Sequence, residues 1–76
     1  MQITSDVTEG AMILRVHGTK EAWLENFQSL QEYTDERIRV TGKQVEIHIY
    51  GSNMRIEYYG SADMKIVGQI QKIEYM

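Results

Sequence analysis

Apolar residues in this chain alternate with polar ones at period two, in short runs divided by glycine and uninterrupted by any proline. Successive side chains of a strand point to opposite faces, so this period marks strands with one face buried and one in water. Val45, Ile47 and Ile49 share one face of the run that ends at Tyr50, with Glu46 and His48 on the other. Met54, Ile56 and Tyr58 repeat the pattern against Arg55, Glu57 and Tyr59, and Ile38 and Val40 do so between Arg37, Arg39 and Thr41. The last run, Met64 to Tyr75, keeps Ile66 and Ile70 in phase with Met64 and then shifts by one at Ile73 and Tyr75, which places a β-bulge near Gln71.

Small polar residues cluster beside the glycines, where a chain reverses. Thr8-Glu9-Gly10, Gly18-Thr19, Thr41-Gly42-Lys43, Gly51-Ser52-Asn53 and Gly60-Ser61-Ala62-Asp63 each read as a hairpin turn. At the amino end, Gln2 to Val7 and Ala11 to His17 make a first hairpin about Glu9-Gly10. Met54-Arg55-Ile56 recurs as Met64-Lys65-Ile66, which two adjacent strands of a meander explain as well as an internal repeat.

Thr19 to Thr34 carries two readings. Trp23, Phe27 and Leu30 recur at helical spacing, Thr19 can cap, and Lys20, Glu21 and Glu25 keep the other face polar, so pattern alone favours a helix. The alternative is two short strands, Glu21 to Phe27 and Leu30 to Tyr33, turning at Gln28-Ser29.

The 76 residues allow one domain, 1–76, and a domain of this size buries only about 60% of the surface its unfolded chain exposes. With no cysteine and two histidines, neither a disulfide nor a zinc cluster is available to reinforce so thin a core, and association with another copy or a partner gains weight. Hydrophobic residues at 42% and charged residues at 25% place the chain among folding sequences. Net charge is −3 and the eight basic residues are scattered among acids, which disfavours nucleic acid as a partner. The first fifteen residues lack a basic start and a long apolar run, so neither a signal peptide nor direct membrane insertion is expected, and the cytoplasm is the expected location.

Catalytic constellations are not evident. His17 precedes a turn and His48 sits on a polar strand phase, positions of ordinary surface histidines. Asp35-Glu36 and Asp6 with Glu9 lie in turn-rich segments with no nucleophile near, and neither Gly51-Ser52-Asn53 nor Gly60-Ser61-Ala62 has phosphate-loop spacing. No enzyme activity, cofactor or metal is expected. Tyr50 and Tyr59 fall on the wet phase of their strands, where tyrosine suits a protein interface, whereas Tyr58 and Tyr75 share the core phase.

From Glu21 to Tyr75 the chain resembles the YabP/YqfC family of small sporulation proteins from endospore-forming bacteria. The residues that carry the resemblance are Trp23-Leu24-Glu25-Asn26-Phe27, Glu32 to Val40, Gly51, Asn53-Met54-Arg55-Ile56, Asp63 to Ile70 and Ile73-Glu74-Tyr75. The chain departs from the family pattern in being short between Val40 and Val45, and over its first eighteen residues. The resemblance implies an all-β protein made in the mother cell, acting at the forespore surface in spore envelope assembly beside membrane-bound sporulation proteins. It moves Thr19 to Thr34 towards strands and brings no activity and no functional residue with it.

The expected fold is therefore mainly β, an antiparallel meander of six or seven short strands, with an α+β form carrying a helix at residues 19–34 as the alternative. The expected function is non-enzymatic assembly through protein–protein contact, with a protein partner or homo-oligomer. A small peptide- or ligand-binding module unrelated to sporulation is the alternative, and it requires a concave pocket.

Overall fold

The computed structural model describes residues 10–76. They form six antiparallel strands: β1 (Ile13–His17), β2 (Glu21–Glu25), β3 (Ser29–Tyr33), β4 (Arg37–Gly42), β5 (Val45–Tyr59) and β6 (Asp63–Tyr75). Their order in the sheet is β1-β2-β6-β5-β4-β3, so β3 to β6 run as a meander and the β1–β2 hairpin joins on the far side of β6. Among the described residues there is no helix. The first expected strand, Gln2 to Val7, lies outside them.

Thr19 to Thr34 is therefore strand, bend and strand. Ala22 and Leu24 are fully buried at alternate positions of β2, while Trp23 between them points to the outer face. Their burial follows the strand period, because β2 is held between β1 and β6 and its ladder outweighs the helical spacing of Trp23, Phe27 and Leu30. β2 and β3 do not pair with each other, so Gln28-Ser29 is not a hairpin turn. Asn26, with φ 64, turns the chain away, and the Asn26 and Phe27 amides both donate to the Ala62 carbonyl.

Two long strands fold the sheet on itself. Fifteen residues of β5 would span about 46–50 Å if straight, longer than the 41 Å of the whole molecule. The amino half of β5 pairs with β4 and the carboxy half of β6; the carboxy half of β5 pairs with the amino half of β6, which also pairs with β2. Two half-sheets result, β1-β2-β6-β5 and β3-β4-β5-β6, crossing at the bends of β5 and β6. Leu24, Met64 and Ile66 from the first and Ile38, Val40, Ile47 and Ile49 from the second are all inaccessible to solvent and belong to one cluster. A single exposed layer could not hide them, so the half-sheets pack face to face.

The bends depend on close backbone contact. A Cβ at Gly51 would collide with the Gln69 carbonyl oxygen. Gly68 has φ +141, and a Cβ there would lie 2.6 Å from both the Asn53 oxygen and the Met54 Cα. Loops from outside pin both corners. Gly51 and Met54 amides donate to the Glu36 and Asp35 carbonyls, and Gly68 and Ile70 amides donate to those of Lys20 and Thr19. Gly51-Ser52-Asn53 is thus a bend within one strand rather than the expected hairpin tip, which merges two expected strands into β5. The register shift between Tyr50 and Gly51 does leave Gln71 as the extra residue on β6, as the phase change in that run implies.

Gly51→Ala and Gly68→Ala should each destabilise the fold by roughly 2–4 kcal/mol through overpacking and backbone strain, read as a lower midpoint in urea unfolding. Ile49→Ala should cost about 2–4 kcal/mol by leaving a cavity between the half-sheets, enough to leave much of so small a protein unfolded at 37 °C by circular dichroism.

Candidate protein-interaction surface

Both outer faces are covered by charge. On the second half-sheet, Glu32 pairs with Arg37 at 2.8 Å and with Arg39 at 3.3 Å, and Arg39 reaches Glu46 at 3.3 Å. His48 lies in this row with Nε2 2.8 Å from Glu46 and Nδ1 3.3 Å from the Tyr50 hydroxyl. Tyr50 donates to Glu74 at 3.3 Å, and the Lys72 ammonium sits 5.2 Å above its ring. Tyr50 is on the outer face, as its strand phase requires, but half-buried beneath a polar network.

On the first half-sheet, Lys65 contacts Glu21 and Glu57 at 2.9 Å each and lies 5.3 Å above the Trp23 ring. Those carboxylates hold the Lys65 ammonium above its ordinary pKa, and Lys65, helped by His17, holds Glu21 below the usual carboxylate range. Lys72 similarly lowers Glu74, and Glu32 raises Arg37. Every one of these shifts favours the charged form, the opposite of what prepares a proton-transfer group at neutral pH. Asp35 and Glu36 act through their backbone at the β5 corner. No cluster of three or more His, Cys, Asp or Glu placed to hold a metal occurs among the described residues, and no helix is long and apolar enough to cross a membrane.

Tyr58 and Tyr59 exchange the faces that simple alternation gives them. The register steps from Ile56 opposite Ile66 to Tyr58 opposite Lys65, so Glu57 is an extra residue and the phase reverses after it. Tyr58 consequently joins the outer face, with its ring centroid 6.5 Å from that of Trp23. Tyr59 turns to the core side opposite Met64 and packs on Phe27, centroids 5.5 Å apart, yet stays 55% exposed. Tyr50 and Tyr59 therefore do not share a face.

Tyr59 lines an open apolar groove of about 310 Å³ with Leu30, Tyr33 and Ile56. The groove follows the seam where the free edge of β3 approaches the free edge of β5. Tyr33 spans it, its hydroxyl accepting the Ile56 amide at 2.9 Å. A sheet folded on itself thus supplies the concavity that one flat layer lacks. Leu30, Tyr33 and Ile56 escape a sequence reading because the groove joins strands that do not pair.

A second missed signal is internal. Arg55-Ile56-Glu57-Tyr58-Tyr59 recurs as Lys72-Ile73-Glu74-Tyr75-Met76, each segment beginning four residues after its bend glycine, Gly51 or Gly68. The two segments are the equivalent outermost halves of β5 and β6. The Met54 and Met64 triplets, by contrast, meet across the β5–β6 hairpin where Ile56 faces Ile66, while Lys65 and Met64 face Tyr58 and Tyr59.

No curated protein and no solved structure matches the chain. The family model described as YabP family does, over residues 8–76, which extends the likeness through the β1 segment that the sequence reading left out. With the match running through every strand described above, the chain belongs to the YabP family, a sporulation-associated family.

Proposed function

We propose that this protein is a non-enzymatic component of spore envelope assembly, coat or cortex, which works by contact with another protein. The single observation that carries the reading is the groove lined by Leu30, Tyr33, Ile56 and Tyr59, an aromatic concavity beside outer faces laced with ion pairs. Such a site suits an apolar side chain of a protein partner. The charged outer faces support the same assignment, since their titratable groups are paired off rather than converging on a cleft. The site of action in this proposal is the mother-cell cytoplasm at the forespore surface, beside a membrane-bound sporulation protein.

A peptide- or ligand-binding module is the second reading, and it gains from the groove volume, which falls at the lower end of small-molecule sites. Its aromatic lining and open form fit one inserted side chain better than an enclosed ligand.

Tyr59→Asp tests the proposal. The substitution loses a half-exposed ring contact with Phe27, of about 1 kcal/mol, and should leave the β-sheet circular dichroism unchanged. In sporulating cells a fluorescent fusion of the variant should disperse from the forespore surface, and envelope assembly should fail. Normal placement and normal envelopes with a folded variant would dismiss the groove as the working surface.

A further inference from the structure

We propose that two copies of this chain pair antiparallel through the carboxy-terminal half of β6, with Ile73 opposite Ile73, Lys72 opposite Glu74 and Glu74 opposite Lys72. Met76 and Glu46 exchange both backbone hydrogen bonds, at 2.7 and 3.3 Å. Alternation along an antiparallel ladder then turns Glu74 and Lys72 towards β5, and turns the N–H and C=O of Ile73 and Tyr75 outwards. No described strand pairs with that side of β6 beyond Val67.

The equivalent edge on β5 is closed. There the outward amide of Ile56, the counterpart of Ile73, is taken by Tyr33, the last residue of β3. Bulges at Asn53-Met54 and at Glu57 break the edge further. At the matching position, the end of β1, stands His17, and it turns to Glu21 at 3.0 Å instead of reaching over β6. Among the described residues, one of the two repeated segments carries a side-chain cap and the other does not.

Charge selects the register. Lys72 and Glu74 both lie on the outer face, 60% and 38% exposed at their side chains, 3.2 Å apart. A two-fold axis through Ile73 makes each lysine face a glutamate of the other copy. Moving that axis by one residue sets lysine against lysine or glutamate against glutamate, which is unfavourable for residues directly opposite. This contact is apart from the groove and does not depend on it.

Light scattering coupled to size-exclusion chromatography, from micromolar to millimolar chain, tests the contact. The unmodified protein should show a concentration-dependent dimer. Lys72→Glu should raise the dissociation constant about tenfold or more, and Lys72→Glu with Glu74→Lys should restore it. Tyr75→Pro removes an outward amide and an exposed ring, takes no hydrogen bond from the ladder to β5, and should also give monomer, with the β-sheet circular dichroism retained. Tyr59→Asp should leave the dimer intact, which separates this contact from the groove. A monomer at every concentration, a dimer indifferent to Lys72→Glu and Tyr75→Pro, a double variant as weak as the single, or a dimer lost with Tyr59→Asp would each overturn the proposal.

Discussion

Gly51 lies against the Gln69 carbonyl, and Gly68 against the Asn53–Met54 backbone; the rest of the molecule depends on these two contacts. A six-stranded sheet has one apolar face, and among the described residues no helix and no second sheet covers it. The remaining solution is to bend the two longest strands so that the sheet covers itself. Bending brings backbone to backbone without side chains between, a geometry that glycine permits and alanine does not. Each corner is then fixed by two amide–carbonyl bonds from the turn before the neighbouring strand. Sequence, corner and core are one chain of cause: glycine allows the bend, the bend apposes the faces, and apposition buries Leu24, Ile49 and Ile66 together.

The same folding decides where the surface stays open. Each half-sheet has two edges, and the fold places β3 of one near the carboxy half of β5 of the other. At the seam between β3 and β5 the strands approach closely enough for Tyr33 to bridge them but not to form a ladder. Apolar side chains that would be interior in a closed barrel are left lining a groove. The outer faces went the other way, because a strand face that receives no second layer must be satisfied by water and by its own charges, and here Lys65 and Arg39 each tie two acids together.

Strand content was legible in the sequence because period-two burial is local. Ile38 with Val40 and Ile47 with Ile49 are buried as alternation requires. Legibility ended where the cause is non-local. Trp23, Phe27 and Leu30 lie at helical spacing, yet they fall on β2, on the connecting bend and on β3 respectively. Gly51-Ser52-Asn53 has the composition of a turn, and only the Gln69 carbonyl opposite shows that the chain bends there and continues. The bulge at Glu57 is likewise invisible in the run Arg55 to Tyr59, and it reverses the faces of Tyr58 and Tyr59. Tyr50 kept its face, but its role depended on Glu74 and Lys72 at the far end of the sequence.

Duplicated strand ends create a problem of their own. Two open copies of a basic-Ile-Glu edge on one molecule could pair with each other head to tail, and such a heterologous contact need not close. A net charge of −3 is too small to prevent that growth by repulsion alone. A cap on one copy changes the outcome: with Tyr33 on Ile56, the remaining repeat edge can meet its own kind across a two-fold axis that uses it up. The difference between a closed pair and a fibre then rests on which aromatic or imidazole ends the first strand of each hairpin, Tyr33 on one side and His17 on the other.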